Sequence, residues 1–339
     1  MPEARTQTPA MSVIVPLYNT ERYIAEALDS LLAQSFANFE VVVVNDASQD
    51  SGPEIVERYI ARDPRVRMVT QENRGLAGAR NTGIREARGR YLVLLDADDS
   101  FEPEKLQRHF DHLEANPDVG VSYAPSLFMD EDSQLMGLVQ TPKLKNVDAE
   151  HVFCRNPVGN GSAAVLRADA MADVAFDVDA PEGTRRCWFD ESFRQSEDIE
   201  MWSRIAATTE WRFEGIAEPL TRHRVNNSGL SANTEKQFET WQRFRDKLKA
   251  LAPDLVARAG NRAEAYQLRY LARRAAISGD GVKSLGLIAK SVRRHPAIIA
   301  EEPKRTLVTF GFATVASVLP AGAFETLKSA LFSPRRATA

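Results

Sequence analysis

Three aspartates, Asp96, Asp98 and Asp99, stand directly behind the apolar run Tyr91-Leu92-Val93-Leu94-Leu95. A continuous apolar run of this length reads as a strand covered on both faces. The carboxyl end of such a strand is where open α/β sheets bind ligands. An Asp-x-Asp placed there can share a hard divalent cation with phosphate oxygens, because Mg²⁺ takes one or two carboxylates and completes its shell with substrate oxygens. The alternative for the same residues is a solvated acidic turn that leads through Phe101-Glu102-Pro103 into a helix cap.

Other residues gather at the same predicted edge. An earlier apolar run ends Pro16-Leu17-Tyr18-Asn19, which puts an aromatic where a flat base could stack; a staple before a helix capped by Asn19 or Thr20 would use it equally well. The run ending Val43-Val44-Asn45-Asp46 projects a carboxylate able to accept from a base N–H or ribose hydroxyls, or to cap a turn. Asn73 to Gly83 is rich in small residues that permit close backbone approach, and within it Arg80 is expected to reach a phosphate or sugar. Glu197-Asp198 opens a helical pattern, where an acid either complements the helix dipole or serves as a general base. Gly-x-Gly-x-x-Gly after the first strand and the Walker sequence are both missing, which speaks against NAD binding and nucleoside-triphosphate hydrolysis.

The elements that must position these residues are legible as a rhythm. Strand-like runs at Met11–Leu17, Glu40–Val44, Val66–Thr70, Tyr91–Leu95 and Val119–Ala124 alternate with helical spacings, such as Ile24, Leu28, Leu31 and Leu32. This predicts an α/β fold with a parallel sheet flanked by helices. Residues 130–186 are polar and punctuated by Gly and Pro, the composition of a binding loop region. After Glu235 the pattern is helical.

Charge divides the chain at the same place. From Glu235 to Ala339 there are 19 Lys or Arg and 9 Asp or Glu, a net of +10, and residues 1–234 carry a net of −14. No nucleic acid is expected as partner for the acidic part, whereas the basic part suits an anionic membrane surface. Thr306 to Phe324 contains no charge, but Pro320 and two glycines favour an interfacial helix pair over a span, with a buried helix as the alternative. Cys154 and Cys187 match no metal or disulfide spacing, so a reducing cytoplasm is expected. The first ten residues lack the pattern of a secretory signal.

Taken in order, the Pro16–Tyr18 turn, Asn45-Asp46, Asp96-Ala97-Asp98 and Glu197-Asp198 followed by Trp202 and Arg204 resemble the family-2 glycosyltransferases of the GT-A fold, over about Ser12 to Ser231. The resemblance implies a catalytic domain over 1–234 with a mostly parallel sheet, and it stops short of the helical pattern, which sets apart an α-helical C-terminal region over 235–339. It implies an inverting transfer from a nucleotide-diphosphate sugar, a UDP-sugar first, to a glycan or lipid-linked acceptor, in the synthesis of cell-surface polysaccharide or glycolipid. Pro16 and Tyr18 would flank the base, Asp46 would bond base or ribose, and Asp96 would lie near ribose and sugar. Asp98 would hold Mg²⁺ or Mn²⁺, and Asp198 would be the catalytic base. The implied place is the cytoplasm, peripheral on the inner membrane's cytoplasmic face. The chain departs from the family at Asn45, where an acid is common, and at Asn226, where a histidine is common and for which His223 is the candidate replacement. A sugar-nucleotide pyrophosphorylase should show a basic, Gly-rich signature after the first strand. A non-catalytic membrane or polysaccharide-binding scaffold leaves the recurring acids at strand and helix ends without a reason.

Overall fold

Alternation along valine-rich strands builds the central layer. Strand β1 (Met11–Leu17) pairs in parallel with β2 (Phe39–Asn45), and β2 with β3 (Val66–Thr70). On its other side β1 pairs in parallel with β4 (Tyr91–Leu94). Val41 and Val43 point to one face of the sheet, into a cluster with Ile24, Leu28 and Leu31 of α1 (Ile24–Leu32), Val56 of α2 (Gly52–Ile60) and Leu106 of a later helix. Val42 and Val44 point to the other face, against Ala79 of α3 (Gly75–Glu86). Burial on both faces is what a continuous apolar strand requires.

Pro16 is tolerated inside β1 because of where its missing N–H would point. The Ile14 carbonyl accepts from Leu95 on the β4 side, and the Leu17 carbonyl accepts from Asp46 on the β2 side. In a parallel ladder alternate residues bond to alternate neighbours, so position 16 faces β4, whose pairing with β1 has already ended at Ile14. No ladder bond is lost.

The rest of the chain widens this sheet and adds a second one. Strand β5 (Ser100–Phe101), helix α4 (Lys105–Ala115), β6 (Val119–Tyr123), β7 (Ser126–Met129) and β8 (Leu135–Gln140) follow in sequence. After them come α5 (Ala149–Cys154), β9 (Ala164–Arg167), α6 (Ala168–Val174), β10 (Phe176–Ala180), β11 (Gly183–Cys187), α7 (Glu197–Thr208), β12 (Arg212–Gly215) and β13 (Thr221–Arg224). The large sheet runs β12-β6-β9-β4-β1-β2-β3, and a smaller one runs β5-β13-β7-β8. The expectation of an α/β fold with a mostly parallel sheet holds, with β9 inserted antiparallel between β4 and β6.

Two local expectations are corrected. Residues 130–186 were expected to be irregular, but they contain β8, α5, β9, α6, β10 and β11. These are short: β8 with β7 and β10 with β11 form local hairpins, whereas β9 pairs with strands far away in sequence. The small residues of Asn73–Gly83 were expected to let backbone approach a ligand. Most of them form α3, where a Cβ at Gly83 would overlap the Ile14 side chain, so the close approach there is between helix and sheet.

The structure is a computed structural model and describes residues 8–181, 183–225, 234–320, 322–324 and 326–327. The chain forms two compact units, residues 1–148 with 156–226, and residues 149–155 with 227–339. Beside α5, the described part of the second unit comprises α8 (Thr234–Leu251), α9 (Pro253–Ile277), α10 (Gly281–Arg294), α11 (Ile298–Glu301) and α12 (Pro303–Val318). Its core includes Phe153 stacked on Trp241 at 6.3 Å and Ala272, Ala276, Ile288 and Ala313 packed together. No helix among the described residues is long and apolar enough to cross a membrane.

Candidate active site

Past β4 the backbone closes a turn in which the Asp99 amide donates to the Asp96 carbonyl at 2.9 Å. The turn sends its three carboxylates to different partners. Asp96 accepts from Arg80 Nη2 at 2.7 Å. Asp99 is 1% exposed and accepts from Ser162 Oγ at 2.5 Å, the Arg224 amide at 2.9 Å and His223 Nδ1 at 3.1 Å. Asp98 is half-buried and lines a cleft of about 450 Å³ with Asn19, Thr20, Glu21, Arg22, Tyr23 and Asp50.

These surroundings set opposite proton affinities in neighbouring residues. Burial pushes the Asp98 carboxyl up, the adjacent Asp99 and Asp96 add to the rise, and it reaches about 7. Burial acts the same way on Asp99, but the His223 charge and the Ser162 and Arg224 hydrogen bonds outweigh it and hold that carboxyl below its usual range. His223 responds in turn: burial lowers it, the Asp99 charge and hydrogen bond raise it more, and it lies at about 9. Desolvation with specific charge partners in a cleft marks a candidate functional site.

Arg80 ties this turn to α7. Its guanidinium is buried and gives Nη1 to Glu197 Oε1 at 2.8 Å while Nη2 holds Asp96. Gly161 makes room for the contact, since a Cβ there would overlap Arg80 Nη2. Glu197 is raised to about 7, by burial first, with Arg80 opposing and Asp198 adding. Asp198 is likewise raised by burial against the pull of Arg80. Ser196, just before α7, adopts a left-handed φ of 62°, which turns the chain sharply into the acidic first turn.

Sequence reasoning put Arg80 against a phosphate or sugar; the structure encloses it between two carboxylates, so it positions the site from beneath. Asp46 is also more enclosed than expected. Its carboxylate accepts from Gln71 Nε2 at 2.6 Å, from the Arg74 amide at 2.8 Å and from the Gly75 amide at 2.8 Å. These bonds fix the start of α3 and leave about one of its four acceptor positions for a ligand. Pro16 is buried in β1, whereas Tyr18 is 48% exposed beyond the strand's end. The loops after β1 and β2 are bolted together, with the Asn19 amide donating to Ser48 Oγ and the Glu21 amide to Asp50. Asn226 lies outside the described residues.

The residues that sequence reasoning missed are those that hold the acids in place. Ser162 accepts from the Asp96 amide and donates to Asp99. Arg224 donates to the Asp98 carbonyl at 2.8 Å and to Glu26 at 2.7 Å. Asn156 lies 3.5 Å from Asp198. The polar stretch 157–162 and the His223-Arg224 pair were visible in the sequence, but nothing local said which acids they would meet.

Comparison with known proteins bears on this arrangement. Residues 12–171 match the model of Glycosyl transferase family 2. The uncharacterized glycosyltransferase EpsJ of Bacillus subtilis is 45% identical over 108 residues, 32% of this chain and 31% of its own, so the chain spans about a third of that relative. TarS residues 1–349 of S. aureus, solved with UDP-GlcNAc, superimposes with a TM-score of 0.58 at 19% identity, covering 95% of this chain and 91% of that one. The mannosyltransferase PcManGT of Pyrobaculum calidifontis, solved with GDP-Man and Mn²⁺, gives 0.55 at 22% identity over 91% and 86%. At these identities the likeness shows the fold, which is of the GT-A type. On that fold, residues 12–171 are the segment of this chain that is similar to glycosyltransferase family 2.

Proposed function

We propose that the protein transfers a sugar from a nucleotide-diphosphate sugar, with a UDP-sugar as donor, to an acceptor hydroxyl with inversion at the anomeric carbon. The observation that carries this reading is the Arg80 tie, in which one buried guanidinium joins the turn bearing Asp96 and Asp98 to the turn bearing Glu197 and Asp198. A diphosphate held at the first turn and a nucleophile at the second meet at one sheet edge. The UDP-GlcNAc of TarS and the GDP-Man of PcManGT are donors of the class this edge suits.

Asp98 fits a Mg²⁺ or Mn²⁺ ion. It offers a hard oxygen donor, and its desolvated carboxylate beside Asp96 and Asp99 is relieved by a cation. Diphosphate oxygens would complete the coordination of an ion held by so few protein ligands. His223, kept charged by Asp99, which holds its Nδ1, would present its Nε2–H to a diphosphate oxygen. When bound, the ion supplies neutralisation of the charge that develops on the departing diphosphate.

In this reading Asp198 takes the acceptor's hydroxyl proton at a carboxylate oxygen as that hydroxyl attacks the anomeric carbon. Its burial makes it a stronger base than a solvated aspartate, with the Arg80 charge opposing the rise. A single in-line displacement inverts the centre. Tyr18 and Pro16 flank the base, Asp46 bonds base or ribose with its remaining acceptor position, and residues 130–186 shape the acceptor site. The acceptor is a glycan or lipid-linked glycan of cell-surface polysaccharide or glycolipid synthesis, and the basic C-terminal unit keeps the enzyme peripheral on the cytoplasmic face of the membrane.

Nucleotide release from UDP-GlcNAc, UDP-Glc, UDP-Gal and GDP-Man, with Mn²⁺ and with EDTA, tests the donor class. The expected result is release from a UDP-sugar that needs Mn²⁺. Release from none of the four, or an equal rate in EDTA, contradicts the reading.

A further inference from the structure

Helix α12 is amphipathic in the sense opposite to that of a surface helix packed on a core. Its inward face consists of Thr306, Thr309, Ala313 and Ala316, spaced three to four residues apart, and it rests on α9 and α10. The approach is close: a Cβ at Gly281 of α10 would overlap the backbone of Ala316 and Ser317. The larger apolar side chains point the other way, with Leu307 63% exposed, Val308 67%, Phe310 51% and Val318 75%. A helix ordinarily turns its large apolar residues to the core, and an apolar patch left in water marks an interaction surface.

The charge around that face narrows what can cover it. Lys304 precedes Leu307 by three residues, so it shares that side of the helix, and Arg305, which also pairs with Glu302 at 3.3 Å, follows it. No Asp or Glu occurs from Pro303 to Phe324, and residues 235–339 carry a net of +10. A second copy would bring the same positive rim against this one, whereas anionic headgroups complement it. Apolar residues with basic flanks on a helix too short and too polar to span are the features of a helix lying in the bilayer interface.

We propose that the outward face of α12, Leu307, Val308, Phe310 and Val318 beside Lys304 and Arg305, seats in the interfacial layer of an anionic lipid bilayer. This rests on the reading of the C-terminal unit as membrane-peripheral, and it names the residues that make the contact.

The test is co-sedimentation of the full chain with vesicles of phosphatidylglycerol in phosphatidylcholine and with vesicles of phosphatidylcholine alone. Wild type is compared with Leu307→Gln/Phe310→Gln and with Lys304→Gln/Arg305→Gln, melting temperature and gel filtration serving as folding controls. The expected result is binding to the anionic vesicles that is about 10-fold weaker on neutral ones and weakens with salt. Both variants should lose most of that binding while melting as wild type does. Anionic-vesicle binding that survives in both variants overturns the assignment to α12 and leaves the peripheral reading standing. No binding by wild type overturns both. Dimerisation by wild type that the apolar variant abolishes, without vesicle binding, gives the face to a second copy and overturns the proposal.

Discussion

Asp98 and Asp99 are adjacent in the chain and sit in opposite electrostatic states. Asp99 is neutralised by His223 and two further hydrogen-bond donors, Ser162 and the Arg224 amide, whereas Asp98 is desolvated among like charges. The Asp-x-Asp spacing was legible in the sequence, but the Asp99–His223 pair was not, because its members are 124 residues apart. Without metal, the folded-state pKa of Asp98 lies above its unfolded value of about 3.9. Its contribution to stability is therefore present at low pH and lost as the pH rises through about 7. Asp98→Asn removes that loss. At pH 8 the metal-free variant should be more stable than wild type by about 1–2 kcal/mol, less than the full shift because water reaches the half-buried carboxylate, and the gap should narrow below about pH 6. Calorimetry of UDP with Mn²⁺ should show that the same variant has lost metal-dependent binding. Equal melting at pH 8, or metal-dependent binding retained, contradicts the placement of the cation at Asp98.

Between elements, the consequential contact is the one Arg80 makes, which joins α3, the turn after β4 and the start of α7. Its partners lie 16 and 117 residues away, so the sequence showed an arginine among small residues and not what it would hold. Helix α3 was hidden for a related reason. Glycines at 78 and 83 each weaken a helix by about 1 kcal/mol relative to alanine, and at Gly83 packing against Ile14 overrides that local preference. Strands β1 to β4 were legible because each carries a long apolar run. Strand β9 was not, being four residues long and paired to strands distant in sequence. The tie has a direct test at Gly161, where any Cβ would meet Arg80 Nη2. Gly161→Ala should cost about 1–3 kcal/mol through overpacking and lower turnover by loosening Asp96 and Glu197 together. Chemical denaturation beside a transfer assay checks this, and a variant unchanged in both would show that the tie is not under steric control.

For the whole molecule, the acidic mixed α/β part and the basic helical part were separable from composition and periodicity alone. The inclusion of residues 149–155 in the second unit was not, since a six-residue helix carries no sign of a distant partner. Under the proposed function this charge division would assign the anionic donor, through a cation, to one unit and an anionic surface to the other. Central to this account is that the acidic start of α7 performs chemistry and does not merely cap a helix. As a dipole partner Asp198 would contribute about 0.3–1 kcal/mol to stability and little to rate. As a general base it should supply about 10²–10⁴-fold in turnover. Asp198→Asn keeps the side chain's shape and removes the proton acceptor. The deciding measurement is turnover of this variant with a competent acceptor, taken beside its donor affinity and melting temperature. The account expects a folded protein that binds donor and metal as wild type does and transfers sugar at least about 100-fold more slowly; near-normal turnover in that folded variant would contradict it.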